Sequence, residues 1–145
     1  MAHDQILFNR RHVSRKLALQ ALYQWQITRT PLSELLQQFR GDIDYRKSDA
    51  QYFEELVRGV LAAIDEIDQK ITPFLTMKLD QVDMVERAIL RIAVFELTQK
   101  IELPYRVVLS EAITLARQFG AEEGFRFVNG VLDKMAAELR PTERS

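Results

Sequence analysis

Between Asp83 and Leu97 the chain reads DMVERAILRIAVFEL, a stretch that is apolar on almost every side when wound as a helix. A helix of that kind has no solvent face to spare and must be surrounded by other elements. Its start is marked by Asp83 and Glu86, which have the spacing of an N-terminal cap. The same period of about 3.6 residues dominates the rest of the sequence, and no alternating apolar-polar run persists long enough for a strand. Five glycines and four prolines in 145 residues leave few places for such helices to be broken. The expected fold is therefore all-α: a compact bundle of six or seven helices.

The remaining helices are bounded by their punctuation. The first is expected from about Val13 to Ile27. Thr30 and Pro31 offer a cap and first-turn residue for a short helix ending near Gly41. Ser48 and Gln51 have capping-box spacing before a long helix whose stripe runs Phe53, Leu56, Val57, Val60, Leu61, Ile64, Ile67 and Ile71, closed by Pro73. A further helix starts after Pro104 and stops at Gly120, read as a left-handed C-cap. The last runs from about Glu123 to Leu139, with Pro141 beyond it. Its Asn129-Gly130 pair is a hairpin signal, but the stripe Phe125, Val128, Leu132, Met135, Leu139 continues through it and favours helix. Residues 41–47 and 72–82 are the best loops, and neither is long enough to mark a clear boundary. Residues 1–145 read as one domain, with 1–9 a flexible lead and 141–145 a tail.

Composition narrows the function classes. With 47% apolar and 28% charged residues, the chain is that of a soluble globular protein. No apolar run approaches the ~20 residues that span a bilayer, no secretory signal is evident, and a cytoplasmic location is expected. The absence of cysteine excludes disulfides and thiolate chemistry. The two histidines, His3 and His12, lack metal-ligand spacing. The carboxylates of IDEIDQK lie between stripe positions, as on a solvated helix face. No serine sits in a GxSxG turn or beside a histidine, and no glycine-rich phosphate loop occurs. The reading is a non-enzyme without metal or cofactor.

One asymmetry stands out. Residues 1–30 carry Arg10, Arg11, Arg15, Lys16 and Arg29 against Asp4 alone, while acids outnumber bases over the remainder. At about 100° per residue, Ser14, Leu17, Ala18, Ala21, Leu22 and Trp25 form one side of the first helix. Arg11, His12, Arg15, Leu19, Tyr23 and Gln26 form another. Cations beside an aromatic ring are the equipment of single-stranded RNA binding, in which guanidinium groups hold phosphates and the ring stacks on a base. Taken alone, the helix favours the plainer reading, in which Tyr23 is a half-buried packing residue beside solvated arginines. In the last helix Phe127 and Lys134 fall off the apolar stripe, with Gly130 between them and Arg126 close by. That is either a binding surface or a phenylalanine packed under a neighbouring helix.

The blocks ALQALYQWQ (18–26), VERAILRIAVFEL (85–97), PYRVVLSEAITLARQFG (104–120) and FRFVNGVLDKMA (125–136) together resemble the bacterial NusB family of transcription antitermination factors. Order and spacing match over roughly residues 10 to 140. The resemblance implies an all-α fold of two helical halves and a non-enzymatic role. Such proteins pair with the small ribosomal-subunit protein NusE, recognise the single-stranded boxA element of nascent ribosomal RNA leaders and, with other Nus factors, help RNA polymerase read through terminators. It further implies RNA contacts by Arg10, Arg11, Arg15 and Tyr23, and by Glu123, Arg126 and Phe127, with Glu86 on the NusE surface. Family members often carry a denser arginine run, which His12 and Val13 interrupt here, after an unfamiliar lead MAHDQILFN. Fewer cations displace fewer counterions, so the isolated chain is expected to bind RNA more weakly, with less salt sensitivity and more reliance on its partner. Two other readings stay open: a helical protein-protein adaptor, and a detached accessory module of the RNA cytosine methyltransferases to which NusB-like domains are fused. The second rests on a fusion whose catalytic cysteine is absent here.

Overall fold

The computed structural model describes residues 2–144 and contains eight α-helices among them. They fall into two compact units that divide at Ala63.

The first unit holds α1 (Ala2–Thr28), α2 (Leu32–Arg40) and α3 (Ala50–Ala62). The core is built by Leu17, Ala18, Ala21 and Leu22 of α1, Leu35, Leu36 and Phe39 of α2, and Tyr52, Phe53, Leu56, Val57 and Val60 of α3. α1 begins at Ala2 rather than near Val13, so the residues expected as a flexible lead are helical; Met1 lies outside the described residues. The reason is local. Residues 2–12 contain no glycine or proline, Asp4 complements the positive helix start, and Gln5 donates to Asn9 one turn on at 3.0 Å. Apolar periodicity marks where α1 meets the core, not where it begins. It ends at Arg29, the one non-glycine residue at positive φ (56°) among those described.

Two caps differ from expectation. Asp49, not Ser48, opens α3, its carboxylate accepting the Tyr52 N–H at 3.1 Å. Ser48 instead donates to Tyr45 O at 2.6 Å and closes a 3₁₀ turn, Tyr45–Lys47. Thr30 pairs with the Thr28 hydroxyl and does not cap α2, which follows Pro31 directly.

The second unit holds α4 (Ile64–Ile71), α5 (Met84–Gln99), α6 (Tyr105–Phe119), α7 (Gly124–Leu139) and α8 (Pro141–Arg144). The long helix expected over 50–71 is therefore two, broken at Ala63 (φ −111°, ψ 22°). The stripe was continuous in sequence, but Phe53 to Val60 belong to the first core and Ile67 and Ile71 to the second. This split, with the four-residue α8 where a tail was expected, accounts for the higher helix count; Ser145 lies outside the described residues.

Within the second unit α5 is the hub that its sequence required. Every residue from Ala88 to Leu97 is buried, against α4, α6 and α7. Asp83 caps it, accepting the N–H groups of Val85 and Glu86 at 3.0 and 3.1 Å. Arg91 is paired with Asp68 of α4 through two hydrogen bonds of 2.9 Å. At the other end Arg140, only 7% exposed, donates to the carbonyls of Leu97, Leu103 and Lys100 at 2.8, 2.9 and 3.1 Å and to the Glu143 carboxylate. Gly120 is extended (φ −85°, ψ −179°) and not the expected left-handed cap. Its glycine is needed for space, because a Cβ there would lie 2.7 Å from Ala116 O.

Candidate nucleic-acid interface

In the first unit the basic start of α1 is organised by its meeting with α3. The Ser14 hydroxyl lies 2.7 Å from Asp49 O and 3.1 Å from Arg10 O, and accepts the Asp49 N–H at 3.0 Å. This seam brings Tyr52 up against α1. The Arg11 guanidinium carbon sits 4.3 Å from the centre of the Tyr52 ring, and that of Arg15 5.5 Å. Such cation-ring contacts hold a guanidinium in place without removing its charge. Arg11 also lies 3.7 Å from the Asp49 carboxylate and keeps 29% of its side chain exposed. Arg15 is 2% exposed.

The buried side of α1 is thus wider than the helical wheel indicated. It takes in Arg15, Leu19 and Gln26, leaving Tyr23 exposed at its rim. Of the three arginines expected on one surface, Arg10 is exposed, Arg11 is half-buried and Arg15 lies behind them. Arg10 bends back, its Nη2 donating to Ser48 O at 2.9 Å and Arg46 O at 3.3 Å. That brings the exposed Arg46 and Lys47 beside it, two cations that sequence reading missed because they lie 36 residues or more away. Lys16 is tied to Asp44 at 2.9 Å; this hydrogen bond and the ammonium charge hold the Asp44 carboxyl below its ordinary range. The exposed Phe8, also missed, sits one turn before Arg11 and His12 on the same continuous helix.

In the second unit the start of α7 carries the other expected residues. Glu123 and Arg126, both largely exposed, form an ion pair of 2.9 Å. Phe127 is half-buried. Phe125 has two cations near its ring, Arg117 at 4.2 Å and Arg126 at 5.7 Å from its centre. Gly130 is exposed, and a Cβ built on it would meet nothing within 4 Å. A mid-helix glycine with no internal packing reason costs stability relative to alanine, which leaves a bare stretch of backbone beside Phe127 and Lys134.

Glu86, expected on a protein-binding surface, is 6% exposed. Its carboxylate turns inward under the loop between α6 and α7, where Oε2 accepts the Ala121 N–H at 3.3 Å. Burial pushes its pKa up, offset in part by that hydrogen bond and reinforced by the nearby Asp83. Gly124 makes the arrangement possible, since a Cβ there would stand 2.3 Å from Oε2. Among the described residues no His, Cys, Asp and Glu cluster could hold a metal ion, and no helix is long and apolar enough to cross a membrane.

The chemistry available is cationic holding, aromatic stacking and close backbone approach. Residues 12–137 match the model of the NusB family. The transcription antitermination protein NusB of Psychromonas ingrahamii is 47% identical over 133 residues, 92% of each chain. That of Pseudomonas putida is 47% identical over 134 residues, 92% of this chain and 81% of the relative. Among solved structures, NusB of T. maritima superposes with a TM-score of 0.82 at 30% identity, covering 92% of this chain and 95% of that one. A complex of the antitermination factors NusB and NusE with double-stranded RNA contains a chain that matches with a TM-score of 0.77 at 27% identity, covering 88% and 96%.

Proposed function

The chain belongs to the NusB family, and from that premise we propose that it is a transcription antitermination factor. Paired with the small ribosomal-subunit protein NusE, it holds the single-stranded boxA element of nascent ribosomal RNA leader transcripts. Together with other Nus factors it keeps RNA polymerase reading through terminators in ribosomal RNA operons. The role is binding, not catalysis, and residues 1–145 serve it as one module.

The observation that carries this reading is the surface of α1, where an exposed tyrosine that the core does not need shares one helix with Arg10 and Arg11. Phosphates are drawn to the two guanidinium groups, and a splayed base stacks on Tyr23. Arg15 supports this surface from behind, through Tyr52. At the start of α7, Arg126 exchanges its exposed partner Glu123 for a phosphate, at little cost because surface pairs are weak. Phe127 offers a second flat face next to the bare backbone at Gly130. Glu86 serves the NusE side indirectly, by fixing the loop before α7.

Titration of a boxA-type RNA with the chain alone and with NusE tests the reading. Tighter binding on adding NusE, with preference over a scrambled RNA, is expected. No gain and no preference would instead identify a protein-protein adaptor.

A further inference from the structure

The arginine run at the start of α1 is interrupted by His12 and Val13, which on sequence grounds predicts a weak electrostatic grip. The fold changes that count. Arg10 pins the 3₁₀ turn Tyr45–Lys47 to α1 by donating to Arg46 O and Ser48 O. The turn thereby places the side chains of Arg46 and Lys47 in solvent next to the arginines of the helix.

The acids of this neighbourhood are mostly occupied. Asp49 caps α3 and faces Arg11. Asp44 is held by Lys16 at 2.9 Å, and Lys47 approaches it only to 3.9 Å with 74% of its own side chain exposed. Asp42 accepts the Asp44 N–H at 2.8 Å. Among the described residues no hydrogen bond, ion pair or ring contact engages the exposed Arg46 side chain. Five cations (Arg10, Arg11, Lys16, Arg46, Lys47) therefore face three carboxylates: Lys47 shares Asp44 with Lys16, and among the described residues Arg10 and Arg46 are left without a carboxylate. Two exposed cations on a turn that a third hydrogen-bonds to α1 form a surface complementary to a polyanion.

We propose that Arg46 and Lys47 are phosphate contacts for single-stranded RNA flanking the segment held by α1, and that the fold thus restores the cations missing at positions 12 and 13. This extends the RNA-binding reading above and rests on it. Neither residue falls within the sequence blocks that carry the family resemblance.

The test uses the full chain with NusE and two RNAs: the boxA-type element alone, and the same element extended at both ends. For a single strand, log affinity changes with log salt by about 0.7 per phosphate contact. Arg46→Ala/Lys47→Ala should therefore flatten the salt dependence on the extended RNA by about 1.4 and weaken its binding about tenfold or more at low salt. Binding of the short element should change much less. Arg46→Lys should keep the wild-type slope, because it keeps the charge. The urea midpoint should be unchanged, since neither side chain packs in the core.

Equal slopes and affinities for the double variant and the wild type, with RNA bound by both, would overturn this inference alone. A wild-type chain that binds neither RNA would overturn both it and the function from which it starts. Loss of NusE binding with RNA binding intact would also overturn it, by assigning the turn to a protein interface.

Discussion

Replacing Arg140 by alanine probes the closing of the second unit. The guanidinium is 7% exposed and gathers the carbonyls of Leu97, Lys100 and Leu103, all at or just beyond the C-terminal end of α5. Those carbonyls sit where α5 presents its partial negative charge, so a fixed cation satisfies both their hydrogen-bonding capacity and the helix dipole. Lys100 O keeps one donor when the arginine is lost, the Leu103 N–H at 2.9 Å; Leu97 O and Leu103 O lose theirs. Charge-assisted hydrogen bonds contribute about 1.5–3 kcal/mol each, and stranding buried partners costs about 3–5 kcal/mol in total. Arg140→Ala should therefore destabilise by about 3–5 kcal/mol, a large part of the ~5–15 kcal/mol typical of a domain. Arg140→Lys keeps the charge but reaches fewer acceptors, and should lose roughly half as much. Urea unfolding followed by circular dichroism measures both, with the lysine variant informative even if the alanine variant fails to fold. A loss under about 1 kcal/mol for Arg140→Ala at unchanged m-value would refute the reasoning, because the carbonyls would then have found water.

Three further outcomes are expected. Glu86 has its pKa raised by burial, so its contribution to stability is full below the ordinary carboxylate value and is lost as pH rises through the raised folded value. Glu86→Gln should remove that dependence, gaining on the wild type as pH goes from about 4.5 to 7; parallel urea midpoints across that range would contradict it. Gly130→Ala should raise stability by about 0.5–1 kcal/mol, since its Cβ enters open space, while weakening RNA or NusE binding; a stabilised variant with wild-type affinity would show that nothing approaches the backbone there. Arg15→Ala and Tyr23→Ala should separate cleanly. The first should lower the urea midpoint, because a buried guanidinium leaves the Tyr52 ring. The second should leave stability within about 0.5 kcal/mol but cost RNA binding about 1–3 kcal/mol, one base stack.

The parts of the fold legible in sequence were those governed by short-range rules. The all-round apolar character of 88–97 demanded a central helix, and Asp83 marked its start. The Asn129-Gly130 pair was correctly subordinated to the stripe through it. What stayed hidden depended on partners distant in sequence. The arc of α1 that is buried widened because α3 brings Tyr52 against Arg11 and Arg15, and a helical wheel contains no α3. The break at Ala63 left no trace because a stripe keeps its period when it passes from one core to another. The start of α1 was missed because a helix without a breaker continues beyond its last core residue. Within the candidate interface, Arg10, Tyr23 and Arg126 stand out in sequence by residue type, and the fold leaves them on the surface. Arg46 and Lys47 carried no signal beyond being charged, since only the Arg10 hydrogen bonds give them a place.

The pairing of Glu86 with Gly124 bears on how substitutions at these two positions combine. Glu86 can lie inward only while position 124 lacks a side chain; any Cβ there would fall within 3 Å of the carboxylate. Because a glutamate ends in a flexible arm, a substitution at 124 would evict the carboxylate rather than break the helix. The same glutamate would then be a loop anchor in one homologue and a surface acid in another. Its role is not a property of its own position: it is inherited from a residue 38 places further along the chain. A change at 124 could thus rewrite the charge offered to a partner without touching any charged residue.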